Sequence, residues 1–233
     1  MFGLIWSYGS ALYFDGQTDN KLEFSKFFQQ TFPAFKFPPG MSVFDAWIDP
    51  ISNEFVSWND KVPKFELDTD IPLQACLVHN SETVRITYFL DILVKQRFPA
   101  MLVGLAGCGK TLLVNEKLGI MGDDFAIANV PFNFYYTSEM TQKVLEKPLE
   151  KKAGKNYGPP GSHKLVYFLD DMNMPEVETY GAQPPIELLR QLVDCGGYYD
   201  LKEKSWVDIV DTQVCCAMGP PGGGRHALVL ARG

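Results

Sequence analysis

Between the apolar runs "FPAMLV" and "LLVNEKL" the sequence reads "GLAGCGKT" at residues 104–111. Gly104, Gly107, Gly109, Lys110 and Thr111 fit the spacing G-x-x-x-x-G-K-[ST] of a phosphate-binding loop. Each fixed position has a physical reason. Glycine tolerates positive φ and carries no Cβ, so successive backbone N–H groups can turn toward phosphate oxygens. The loop opens into a predicted helix, whose N-terminus favours the same anion. Lys110 has the reach for β- and γ-phosphates, and the Thr111 hydroxyl can ligate Mg²⁺. The whole loop is therefore the candidate cofactor site: Gly104, Leu105, Ala106, Gly107, Cys108, Gly109, Lys110 and Thr111, with ATP or ADP and Mg²⁺ as the expected ligands. Cys108 occupies a variable position of the pattern.

A second chemical element lies in "KLVYFLDD", a buried-strand pattern closed by two acids. An acid at a strand end can approach the same Mg²⁺, so Asp170 joins Thr111 as a candidate metal ligand. Asp171 stands where a base for the attacking water would sit. Glutamate is usual there, and aspartate is one methylene shorter. That moves the carboxylate by roughly an ångström, which matters when positioning supplies much of the rate. Binding is the firmer expectation, and hydrolysis the weaker one.

Several elements must position these residues. Residues 1–37 read as helical from apolar residues at a 3.6-residue spacing, ended by "TFPAFKFPPG". The alternation on both sides of "DPISN" predicts a hairpin, with Asp49-Pro50 opening its turn, Asn53 near its end, and Trp47, Phe55 and Trp58 on an apolar face. "SETVRITYFLDILVK" reads as a helix with a Ser or Thr start and Val84, Tyr88 and residues 90–93 inward. A buried strand is predicted near residues 126–134, then a helix capped by Thr137 or Ser138. "PPIELLRQLVDCGG" has proline at its start and glycine at its end, as helices do. "GYYDLKEKSWVDIV" predicts a second hairpin and "TQVCCAMG" a last buried strand. Apolar strands alternating with helices predict an α/β fold of P-loop type, a parallel sheet sandwiched by helices.

Composition narrows the partners. The 233 residues are 46% apolar and 21% charged, ordinary for a globular chain, and carry a net charge of -7. That balance argues against nucleic acid or an anionic membrane as the main partner. The N-terminus has no basic region and is interrupted by polar residues, so it fits neither a signal peptide nor a membrane span. Five cysteines, no CxxC and three histidines argue against a zinc site or disulfide framework, and for reduced thiols. His79 and His163 read as surface residues, and "PPGGGR" with Arg225 as a turn after the last strand.

With these residues in hand, a family resemblance is evident. "DDMNMPEVETYGAQPPIELLRQLVDCGGYYD" followed by "AMGPPGGGR" resembles the third AAA+ module of axonemal dynein heavy chains. "FGLIWSYG", "VPKF" and "VRITYFLDILV" are similar to the segment that links the second module to that third one. The likeness covers residues 1–225. It implies a motor ring of six AAA+ modules in one long chain, the first module the main ATPase and the third regulatory. It further implies that residues 1–37 end the preceding module's helical lid, 38–79 form a connecting extension with the hairpin, 80–225 are the α/β subdomain, and 226–233 are a divergent tail. The implied partners are nucleotide and the other AAA+ modules of the ring. A microtubule would be reached only indirectly, through the full heavy chain, in the cytoplasm and the cytoskeleton of the ciliary axoneme.

Three departures bear on activity. Asp171 replaces glutamate, and Gly219 stands where related modules place a sensor asparagine. "HALVLARG" does not resemble the family's continuation into another helix, a fifth strand and a lid. With the family's strand order five-one-four-three-two, the expectation is a C-terminally incomplete α/β unit, its first strand an apolar edge. Two other readings stay open: a stand-alone P-loop ATPase, and a non-enzymatic fragment of a motor chain. A kinase would need an acceptor site and an arginine-rich lid, and the sequence offers no such stretch.

Overall fold

The computed structural model describes residues 1–65 and 76–222. Two compact units divide the chain, Met1–Tyr88 and Phe89–Gly233. Arg225 and the tail expected at 226–233 lie outside the described residues.

The first unit begins with helix α1 (Phe2–Tyr8), a 3-10 turn at Gly9–Ala11, and helix α2 (Asn20–Thr31). The helical periodicity through residue 37 is thus broken, for a local reason. The Asp15 carboxylate accepts from the N–H groups of Gln17 and Thr18 at 2.9 and 2.7 Å. Asp19 then caps α2, accepting from Lys21 and Leu22. Turn chemistry in "DGQTDN" overrides the apolar spacing.

Strands β1 (Ala46–Ile48) and β2 (Phe55–Ser57) pair antiparallel as the predicted hairpin. Asp49 opens its turn by accepting from Ile51 and Ser52, and Asn53 closes it in the left-handed region at φ 56°. The single apolar face expected of Trp47, Phe55 and Trp58 is corrected. Trp47 lies opposite Val56 and Ile48 opposite Phe55, so the pleat sends Trp47 and Phe55 to opposite sides. Phe55 meets the Phe37 ring at 4.3 Å, while Trp47 meets Trp58 at 6.0 Å. Ile5, Phe28, Val43 and Phe44 form this unit's buried core.

Helix α3 (Ser81–Lys95) has the predicted span. Its cap is Asn80 rather than Ser or Thr: Asn80 accepts from the Thr83 N–H at 2.8 Å, and Thr83 accepts from the Asn80 N–H at 2.9 Å. Of the residues expected inward, Ile92 is exposed, and Val94 is buried in its place.

The second unit is a parallel sheet of β3 (Ala100–Val103), β4 (Phe125–Pro131), β7 (Lys164–Asp170) and β10 (Thr212–Met218), in the order β3-β10-β7-β4. Numbered as in the family's sheet, that order is one-four-three-two. β4 is shorter than predicted and half-exposed because it is an edge: among the described strands it borders β7 alone. β7 is buried along both faces, as its unbroken apolar run requires.

Alternation in the central strands feeds two layers. Val166, Phe168, Cys215 and Ala217 pack with Leu90 and Val94 of α3 and Val114 and Leu118 of α4 (Lys110–Gly119). On the other face, Leu165, Tyr167, Leu169, Cys216 and Met218 pack with Leu145 of α5 (Ser138–Glu146) and Ile186, Leu189 and Leu192 of α6 (Pro184–Cys195). Each such aliphatic side chain contributes about 1.5–3 kcal/mol on full burial. α5 takes its cap from Thr137, and α6 begins on proline and ends at Gly196, φ 70°, as expected. Burial pushes the Cys215 and Cys216 thiols up to about 12.

A small second sheet was not legible beyond its hairpin. It runs β5 (Glu150–Lys151), β6 (Asn156–Gly158), β9 (Trp206–Ile209), β8 (Gly197–Tyr199), with β8 and β9 as the predicted antiparallel pair.

Candidate functional site

The site forms where the parallel strands end. β3 runs beside β10, and the Gly104 N–H extends that pairing to the Met218 carbonyl at 3.2 Å. The chain then turns through residues 104–111 and enters α4. Gly107 and Gly109 take φ of +79° and +84°, conformations that L side chains rarely adopt, so both glycines are required by the turn. A Cβ on Gly104 would lie 2.9 Å from the Cys108 sulfur.

The loop's functional side chains are held by named partners. The Lys110 ammonium donates to the carbonyls of Gly104 and Leu105, each at 2.8 Å, and lies 3.6 Å from the Cys108 sulfur. It is thereby folded over its own loop, at the mouth of α4. The Thr111 hydroxyl, one residue on, donates to Asp170 Oδ2 at 2.7 Å. This single contact joins the first turn of α4 to the end of β7. The other Asp170 oxygen accepts the Asp171 N–H at 2.9 Å, which fixes the carboxylate's rotation.

Asp171 departs from the strand at φ 52°, an uncommon conformation for a residue with a Cβ. Its neighbours anchor that turn. The Met172 N–H donates to Ala217 at 3.2 Å, and the Met174 N–H to Asp171 at 2.9 Å. Asn173 is fully buried and donates from Nδ2 to the Gly219 carbonyl at 2.8 Å. Sequence reasoning assigned Asn173 no role of its own. The signal was available in an amide two residues after paired acids, but its partner is 46 positions away and only the fold supplies it. Gly219, taken as the sensor position, thus contributes its backbone carbonyl to this tie.

The sequence-predicted residues are therefore brought together at one end of the sheet: the loop 104–111, Thr111 and Asp170 in contact, Asp171 adjacent. The donor set suits a hard cation: a hydroxyl and a carboxylate converging, with Cys108 exposed and bonded only weakly to Lys110. Among the described residues no three His, Cys, Asp or Glu side chains cluster as a metal site, so phosphate and water oxygens would complete the coordination of an ion here. The helices behind the loop are clasped by a charge network. Asp91 of α3 accepts from Lys117 of α4 at 2.5 Å and from Lys95 at 2.6 Å. Partial burial opposes its ionisation, yet these two bonds outweigh it and hold the carboxyl below its ordinary range. The two histidines among the described residues have partners outside the site: His79 is 3.4 Å from the Thr83 hydroxyl, and the exposed His163 ring meets the Asp123 carbonyl at 3.0 Å.

A strand that empties through a glycine loop into a helix, with an acid at the end of a second parallel strand, defines a P-loop α/β unit of the AAA+ type. The sequence matches the family described as a P-loop containing dynein motor region over residues 65–230, and the dynein heavy chain AAA lid domain over residues 1–60. The chain belongs to the dynein motor region family. It is 51% identical over 239 aligned residues to the ciliary dynein beta chain of Tripneustes gratilla, and 50% identical over 240 to dynein axonemal heavy chain 17 of Mus musculus. The flagellar outer-arm dynein alpha chain of Chlamydomonas reinhardtii is 37% identical over 224. These alignments take in 99%, 99% and 96% of this chain, and the chain spans about 5% of the length of each relative.

Proposed function

We propose that this chain is a nucleotide-binding AAA+ module of an axonemal dynein heavy chain, the regulatory third module, which holds ATP or ADP with Mg²⁺ and hydrolyses weakly or not at all. The observation that carries the reading is the Thr111–Asp170 contact at 2.7 Å. It sets a hydroxyl and a carboxylate side by side at the mouth of a glycine loop, the pair that a nucleotide-bound Mg²⁺ needs. Bound Mg²⁺ would neutralise phosphate charge there.

The chain's own residues would act as follows. Gly107 and Gly109 shape the cradle, and the α4 N-terminus adds a favourable dipole. Lys110 exchanges the carbonyls of Gly104 and Leu105 for phosphate oxygens, trading neutral acceptors for charged ones. Thr111 and Asp170 hold the metal side. Asp171 is the candidate base, short by one methylene, and the buried Asn173–Gly219 bond ties the turn that carries it to the end of β10.

In this reading residues 1–37 are the end of the preceding module's lid, 38–79 the connecting extension, and 80–225 the α/β subdomain. Partners are the neighbouring modules of a ring in the cytoskeleton of the cilium. Movement on microtubules belongs to the larger heavy chain. The likeness to ciliary, axonemal and flagellar dyneins supports that setting.

Lengthening the acid tests the weak-hydrolysis part. Asp171→Glu is expected to raise steady-state phosphate release several-fold while leaving nucleotide affinity within a factor of about two, since the change touches positioning of the base rather than the phosphate cradle. A wild-type rate equal to or above that of Asp171→Glu would contradict it.

A further inference from the structure

Three aromatic residues of the first unit converge on one cation. Lys61 ends the 3-10 turn Trp58–Lys61 that follows β2. Its ammonium lies 4.0 Å from the Trp47 ring centroid, 4.6 Å from Tyr88 and 5.9 Å from Trp58. All three distances fall within about 6 Å, the range over which a ring's negative face attracts a cation.

The rings also meet one another. Trp47 and Trp58 stack at 6.0 Å and 28°, Tyr88 stands against Trp58 at 5.3 Å and 66°, and Tyr88 lies 6.3 Å from Trp47 at 60°. Two near-parallel indoles and a tilted phenol make three walls around one point, and the ammonium occupies it. The walls come from separate elements: β1, the turn after β2, and α3. Trp58 is 1% exposed, so its wall is dry, whereas Lys61 itself is exposed and enters from the solvent side. The Trp47 indole N–H is buried with no acceptor among the described residues, so this ring is held by its face and not by its N–H.

We propose that Trp47, Trp58 and Tyr88 form a cation cage for an alkylammonium group, that Lys61 is its resident occupant, and that this clasp fastens the segment after the hairpin to helix α3. The turn is built for the task. Ser57 accepts from the Asn59 N–H at 3.1 Å, and the Val62 N–H returns to the Asn59 carbonyl at 3.2 Å, which sets Lys61 one residue inside a closed turn. The Lys61 charge is also felt at Asp49, so the experiment must separate the cage from that carboxylate. The clasp makes no use of the phosphate loop and stands whether or not nucleotide binds.

Three variants of the 233-residue chain decide it. Lys61→Met keeps the aliphatic stem and removes the charge; it is expected to lower the melting midpoint by about 2–4 °C and to shift tryptophan emission. Lys61→Ala vacates the cage. Tetramethylammonium chloride, which has no carboxylate-specific geometry and fits only the walls, is then expected to bind saturably, restoring emission and midpoint beyond sodium chloride of equal ionic strength. Adding Tyr88→Leu to Lys61→Ala is expected to abolish that response. The proposal is overturned if Lys61→Met melts and emits as the wild type, if the Ala variant answers the two salts alike, or if the double variant still responds. Should Lys61→Ala lose its helical far-UV signal, the Met variant decides alone.

Discussion

In the first unit rings cluster around a buried core shared with Ile5 and Val43, and in the second aliphatic side chains predominate in the buried interior. Phe28 touches Phe24, Phe32 and Phe37 at centroid distances of 5.9, 4.9 and 6.2 Å, and Phe44 lies against Trp6 and Phe24. The elements that carry these rings are short, with strands of three residues and helices of seven and twelve. A short element offers few inward positions, so each must bury a large area, and aromatics supply it. In the second unit the central seven-residue strands β7 and β10 have both faces covered, and Val, Leu, Cys and Ala make up most of what they bury, with Tyr167 and Phe168 as the rings among them. Its sheet leaves strand ends free of packing duty, and Asp170 and the loop before α4 sit at those ends. The chemistry follows the sheet of the second unit; in the first, three rings and Lys61 build the proposed clasp.

The largest effect that could break this contrast comes from emptying each interior in turn. Phe28→Ala and Leu118→Ala are each expected to cost about 3–5 and 2–5 kcal/mol. Hydrogen exchange should place the damage differently. Phe28→Ala should lose protection in α1, α2 and the hairpin, with β7 and β10 unchanged, and Leu118→Ala should do the reverse. Loss of protection across both units from either change would show that ring and strand interiors are one cooperative body.

A smaller effect is expected at the charge network of the second unit. Asp91 joins α3 to α4 through Lys117 and Lys95, and its folded carboxyl lies below the ordinary value of 3.8. A depressed carboxylate contributes stability that is present above the unfolded pKa and is lost as pH falls through the folded one. Asp91→Asn is therefore expected to be less stable than wild type at pH 7, by no more than about 1 kcal/mol for so open a pair, and the two should converge as pH drops below 3.8. Denaturant midpoints at pH 7 and pH 3 check this; a gap that widens in acid would contradict it.

How far the sequence discloses the molecule divides along the same line. β7, β10, α5 and α6 are legible because their apolar spacing, caps and glycine stops all agree. The phosphate loop is legible because its residue types have no other common use at that spacing. The first unit was misread where local turn chemistry competes with a period: "DGQTDN" splits the predicted helix. Trp47 and Phe55 part company because pairing register, not residue type, decides which face a strand residue takes. Asn173's tie to Gly219 and Lys61's cage were beyond sequence reasoning, since both depend on residues brought together from separate elements.

In the proposed function the loop at 104–111 binds nucleotide phosphate through Lys110. Titration of a fluorescent ATP analogue with Mg²⁺ into wild type and Lys110→Ala tests it most directly. Removing a charge-assisted contact worth about 1.5–3 kcal/mol predicts an affinity weakened roughly 10- to 150-fold. Equal affinity in the two proteins would contradict the assignment of this loop as the nucleotide site.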